Sequence, residues 1–143
     1  MLSPYVHKVQ YHETDKMGIA HHANYIKWME EARIDYLDRM GCGYAQMEAE
    51  GLISPVVGID CRYKRPTTFY DVVEVEVWVE EFTGVRLILG YTMREAATQE
   101  VVFTATSTHC FTDINGKPFI LKRNFPHIAE LLEKLIAEHR AEC

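Results

Sequence analysis

Residues 72–82 read VVEVEVWVEEF and restrict the fold more tightly than any other stretch. Val73, Val75, Val77 and Val79 fall on one side, Glu74, Glu76 and Glu80 on the other. A period of two with one apolar and one charged face is the mark of an antiparallel strand that packs on one side and meets water on the other. Such a strand needs neighbours to pair with and an apolar layer to cover it. Three further strands are predicted downstream of the first helix, from VVGIDCRYKR (ended by Pro66), VRLILGYTMRE and VVFTATSTHCFTD, the last closed by the Asn115-Gly116 turn signal. Residues 4–14 read as a first strand.

The cover comes from a change of period. Tyr25, Met29, Ala32, Tyr36 and Met40 recur every three to four residues, widened by Trp28 and Leu37, while Glu30, Glu31, Asp35, Asp38 and Arg39 hold the opposite face. Asn24 is placed to cap the helix start and Gly41 to follow its end, so a helix of about four turns is expected. A short helical stretch follows around YAQMEAEG. Asn124 and Pro126 open a last amphipathic helix through Ile128, Leu131, Leu132, Leu135 and Ile136. The order of elements predicts an α+β fold, one layer of helix on one layer of sheet, within a single domain spanning 1–143.

A formal charge of −6 argues against nucleic-acid binding and against an anionic membrane surface. The N-terminus lacks a signal-peptide core, and no apolar run approaches the ~20 residues of a membrane span, so the chain is not expected to cross a membrane. Cys42, Cys61, Cys110 and Cys143 are far apart and form no C-x-x-C pair. They read as free thiols in a reducing compartment, which points to the cytoplasm.

Chemistry concentrates where the first strand gives way to the helix. The stretch DKMGIAHHANY (15–25) sets Asp15, Gly18, His22, Asn24 and Tyr25 around a helix start, whose unpaired N–H groups can hold a developing negative charge. Asp15 by itself is ordinary turn chemistry. YHETDKMGIAHHANYIKWMEEAR, however, resembles the opening of hot-dog-fold acyl-CoA thioesterases of the 4-hydroxybenzoyl-CoA thioesterase family, especially the branch encoded beside Tol-Pal genes. Tyr11, Asp15, Gly18, His22, Asn24 and Tyr25 fall on that family's pattern in register, and RYKRPTTFYDVVEVEV resembles its second and third strands, with Pro66 and Asp71 at the joint.

The resemblance implies a hot-dog fold, with a long central helix on a curved sheet of about five strands. It implies hydrolysis of an acyl-CoA, or of an acyl carrier protein thioester, without cofactor or metal. Asp15 would be nucleophile or general base, with His22 assisting. Relatives usually carry an aromatic or apolar residue where His21 stands, so His21 is read as structural. Tyr11, Gly18, Asn24 and Tyr25 would shape the substrate site, and Arg62, Lys64 and Arg65 would meet the phosphates of coenzyme A, with Lys122 and Arg123 as a further basic spot. Glu30 and Glu31 lie on the polar helix face and are left out. A homodimer or homotetramer is expected, with each site between subunits and the loop of Asp15 facing a neighbour's strand around Asp60–Tyr63. Three other readings compete: a non-catalytic acyl-binding or scaffolding module, a hot-dog dehydratase, and a metal hydrolase. The dehydratase is disfavoured because no matching histidine–glutamate signature is present and fold alone does not fix the reaction. The metal hydrolase is disfavoured because adjacent histidines point apart and no H-E-x-x-H spacing occurs.

Overall fold

The computed structural model describes residues 2–142. Five strands form one antiparallel sheet: β1 (Tyr5–Lys8), β2 (Val56–Tyr63), β3 (Val72–Phe82), β4 (Leu87–Glu95) and β5 (Val101–His109), in the order β1-β3-β4-β5-β2. Helices α1 (Ala23–Arg39), α2 (Tyr44–Ala49), α3 (Leu121–Asn124) and α4 (Pro126–Glu142) complete the α+β architecture.

The alternation in β3 is realised as expected. Val73, Val75 and Val79 are buried, and the glutamates between them remain at least partly accessible. Trp28, Met29 and Ala32 of α1 are fully buried in one core with Val73, Leu89, Met93 and Phe103 from the sheet. On the other face of the sheet, Trp78 lies across β4 at Gly90. A Cβ at Gly90 would stand only 2.3 Å from the Trp78 ring, so this close approach requires glycine.

Two local expectations change. The first strand ends at Lys8, and the chain then turns through a 3₁₀ segment at Tyr11–Glu13. The cause is Glu13, whose side chain accepts the Gln10 N–H at 2.8 Å and bends the backbone out of the ladder. The long helix starts at Ala23 rather than being capped by Asn24. His21 supplies a cap instead, its Nδ1 accepting the Ala23 N–H at 3.1 Å, while the Asn24 amide donates to the Glu13 carbonyl at 2.8 Å. Cys42, Cys61 and Cys110 are free thiols, and Cys143 lies outside the described residues. No described helix is long and apolar enough to cross a membrane.

Candidate active site

Residues 13–21 form a small hairpin laid against the start of α1. The His21 N–H donates to the Glu13 carbonyl, Thr14 bridges Ala20, and the Asp15 N–H donates to the Ile19 carbonyl at 2.9 Å. At the tip the Gly18 N–H returns to the Asp15 carbonyl at 3.0 Å, and Gly18 takes φ +79°. This is a one-turn reversal closed by a residue in the left-handed region, for which glycine is the natural choice. The space beside Gly18 is open, so backbone conformation rather than a tight contact accounts for the residue.

Asp15 stabilises the same turn. Its Oδ1 accepts the Met17 N–H at 2.8 Å, which fixes the carboxylate relative to the hairpin. Among the described residues Oδ2 has no hydrogen-bond partner. Asp15 is half-buried and opens onto a cleft of about 300 Å³ that also takes in Met17, Ile19, His22, Tyr25 and Tyr63, with Lys64, Arg65 and Pro66 at its side.

The opposite wall is tied to the hairpin by backbone and side chain alike. The Ala20 N–H donates to the Thr67 carbonyl, and the hydroxyls of Tyr25 and Thr67 meet at 2.9 Å. Tyr63, at the end of β2, donates its hydroxyl to the His22 carbonyl at 2.8 Å and thereby pins the edge strand to the start of α1. Burial pushes the Tyr25 and Tyr63 phenols upward, so both are neutral hydroxyls near pH 7. Their rings pack on each other and on Phe103, giving the cleft an aromatic floor.

The expected site residues thus separate into two groups. Asp15, His22, Tyr25, Lys64 and Arg65 come together at the cleft, and it is His22 that lines it while the stacked His21 ring caps the helix. Tyr11, Gly18, Asn24 and Arg62 do not line it. Tyr11 is exposed and packs edge-on against Phe69, and Asn24 is engaged by Glu13. Arg62 pairs with Asp60 at 2.9 Å and borders a shallow dip on the other face of the sheet, with Trp78 and Thr104. β2 ends at Tyr63, and the Lys64 and Arg65 N–H groups both turn to the Val102 carbonyl (2.8 and 3.1 Å), so the backbone leaves the regular ladder between Arg62 and the other two basic residues. Lys122 pairs with Glu133 beside α4, away from the cleft. Tyr63, expected to face the site from a neighbouring chain, lines the cleft of its own chain.

One residue that the sequence did not single out underlies the whole arrangement. Glu13 is buried, and its carboxylate accepts three hydrogen bonds, from Gln10 N–H (2.8 Å), Trp28 Nε1 (2.7 Å) and His7 Nε2 (2.8 Å). Burial alone would raise its pKa; the hydrogen bonds outweigh that penalty and hold the group below the usual carboxylate range. The only signal in the sequence is its position two residues before Asp15.

A second concavity, of about 260 Å³, lies between β3 and α4, lined by Tyr36, Glu76, Trp78, Glu138 and His139. Its carboxylates disfavour a phosphate-bearing ligand, whereas Lys64 and Arg65 favour one at the Asp15 cleft.

Comparisons with known proteins identify the family and the fold. The family described as the thioesterase-like superfamily matches residues 9–135. A Bacillus subtilis protein provisionally named acyl-CoA thioesterase YneP is 38% identical over 128 residues, covering 89% of this chain and 92% of its own. An Aquifex aeolicus protein provisionally named an esterase is 35% identical over 113 residues, 79% of this chain and 86% of its own. The crystal structure of a DHNA-CoA thioesterase from Staphylococcus aureus superposes with a TM-score of 0.91 at 33% identity, covering 99% of this chain and 95% of that one.

Proposed function

The chain belongs to the thioesterase-like superfamily and has its hot-dog fold, and from that premise we propose that it hydrolyses an acyl-CoA thioester to the free acid and CoA. The observation that carries this reading is the meeting of Asp15, His22, Lys64 and Arg65 at one cleft beside the start of α1. Oδ1 of Asp15 is occupied by Met17, which leaves Oδ2 for chemistry. Acting as a base, the carboxylate takes a proton from water while the water oxygen adds to the thioester carbonyl carbon. The tetrahedral intermediate then expels the CoA thiolate, which takes up the proton. Acting as a nucleophile, the carboxylate adds to the carbonyl carbon, and the C–S bond breaks to release CoA thiolate. Water then opens the resulting mixed anhydride to the free acid and the Asp15 carboxylate, the proton released from water going to the thiolate.

The amides of Ala23 and Asn24 are engaged by His21, so we assign the His22 amide, at the same helix start, to the thioester carbonyl. The His22 ring orients substrate or assists proton transfer. Lys64 and Arg65 hold CoA phosphates or the corresponding phosphate of an acyl carrier protein, and Tyr25 lines the acyl site. Gly18 and Asn24 act by shaping the loop, and Arg62 is left out. No cofactor or metal enters the scheme. The D-x-x-G-x-x-x-H-x-N-Y stretch supports placement in the Tol-Pal-associated branch, and the free cysteines support a cytoplasmic location. We also propose a homodimer or homotetramer that works as an assembly of single-domain subunits.

The test is thiol release from a panel of aliphatic and aromatic acyl-CoAs. Wild-type protein should turn over at least one of them, and Asp15→Asn should lower kcat by about 10²–10⁴-fold with the fold intact. Wild-type turnover by the Asn variant would end the assignment of Asp15, and no hydrolysis of any substrate would favour a binding module.

A further inference from the structure

Glu13 holds the segment that carries Asp15 by two routes. Through its carboxylate it is attached to β1 (His7), to the 3₁₀ turn (Gln10) and to α1 (Trp28). Through its carbonyl it takes the His21 N–H and the Asn24 amide, both at 2.8 Å, which closes the base of the hairpin on the first turn of α1. The His7 ring also packs on Trp28 at 4.7 Å, so two of the donors support each other. A buried carboxylate costs stability relative to an apolar side chain of equal volume. What three donors from three elements supply in return is a fixed position: the backbone two residues before Asp15 cannot shift without breaking charge-assisted bonds.

We propose that Glu13 is a positioning residue for Asp15: its clamped carboxylate sets the distance and angle between the Asp15 carboxylate and the start of α1. The inference rests on the catalytic reading of Asp15. The Asp15 turn closes on itself through its own hydrogen bonds, so it survives loss of the clamp as a unit but moves relative to His22. A displacement of about 1 Å at a reacting group costs on the order of 10²-fold in rate. Substrate contacts made by Lys64, Arg65 and Tyr25 stand on other elements and are retained.

The experiment compares Glu13→Gln, Asp15→Asn and the double variant, with the best acyl-CoA of the panel as probe. Glu13→Gln keeps the shape but presents an amide N–H where a donor already stands. Expected are a kcat loss of about 10–10²-fold, a KM within a few-fold of wild type, and faster amide exchange at Ala20 and His21, whose hydrogen bonds tie the hairpin to Thr67 and Glu13, with Asp15 and Gly18 inside the turn unchanged. The double variant should be no slower than Asp15→Asn, because the effect of Glu13 passes through Asp15. Should Glu13→Gln fold poorly, Trp28→Phe removes one donor while keeping an aromatic ring, and a smaller kcat loss at unchanged KM is expected. Wild-type kcat in the folded clamp variant beside an inactive Asp15→Asn would overturn the positioning role alone. A double variant slower than Asp15→Asn by the full Glu13 factor would do the same. Wild-type turnover by Asp15→Asn would remove both readings together.

Discussion

Asp15, Gly18 and His22 were readable as a unit because their spacing is itself local geometry: an aspartate opens the turn and a glycine three residues later closes it. Glu13 was not readable. In sequence it is one more acid in a polar, strand-like opening, and its burial depends on His7 and Trp28, which only the folded chain brings to it. The division of Arg62 from Lys64 and Arg65 was not readable: a period of two puts Arg62 and Lys64 on one face, and only the end of β2 at Tyr63, where the Lys64 and Arg65 N–H groups both turn to the Val102 carbonyl, separates them. At Gly18 the φ of +79° makes a definite prediction. Gly18→Ala meets no steric obstacle, so its cost is the left-handed conformation, about 1 kcal/mol. It should show as a small drop in denaturation midpoint with a disproportionate fall in kcat; an unchanged kcat would mean that the turn does not hold Asp15 in place. A carboxylate mechanism needs no ion, so dialysis against a strong chelator should leave turnover unaltered. Activity lost and then restored by zinc would instead favour the metal-hydrolase reading.

The long elements were legible from period and punctuation, and their ends were not, because side chains from elsewhere set them. β1 stops short where Glu13 takes the Gln10 N–H, and α1 begins at Ala23, one residue before the expected Asn24 cap, where the His21 ring reaches the Ala23 N–H. Also unread was a buried polar chain linking α1, β4 and β5. Arg33 Nη1 donates to the Tyr91 hydroxyl at 3.3 Å, that hydroxyl meets Ser107 at 2.6 Å, and Ser107 meets His109 Nε2 at 2.7 Å. Among the described residues the Arg33 Nε is buried without a partner, an unsatisfied donor that weakens this join. Burial, with the Arg33 charge as a lesser cause, lowers the His109 pKa to about 4. Neutral in the fold, His109 takes up a proton near pH 6.5 once the chain unfolds. The unfolded state therefore binds more protons between pH 6.5 and about 4, and stability falls as pH drops through that window. The loss attributable to His109 is on the order of 3 kcal/mol. Urea denaturation at pH 7 and pH 4.5 should show it in wild type and show it reduced in His109→Gln. An equal pH dependence in the two proteins would assign the effect to other groups.

At the scale of the molecule, the two outer strands differ. β1 is short, whereas β2 runs for eight residues and is exposed along nearly its whole length. Val57, Ile59 and Tyr63 are 60%, 40% and 46% exposed, apolar or aromatic side chains on a long strand with one unpaired edge. A chain with such an edge is expected to cover it, and a second copy of the same strand is the partner that needs no further gene product. The expected assembly therefore joins two subunits through β2. Tyr63 links the end of that strand to the His22 carbonyl, so a partner seated on β2 would stiffen the wall of the Asp15 cleft. Ile59→Glu tests this without disturbing the interior of the subunit, since Ile59 already faces solvent there. Sedimentation at micromolar concentration should give at least a dimer for wild type and a monomer for Ile59→Glu, with turnover lost in step. A monomeric variant that hydrolyses acyl-CoA at the wild-type rate would show that one chain holds a complete site, and a variant that stays dimeric would move the interface away from β2.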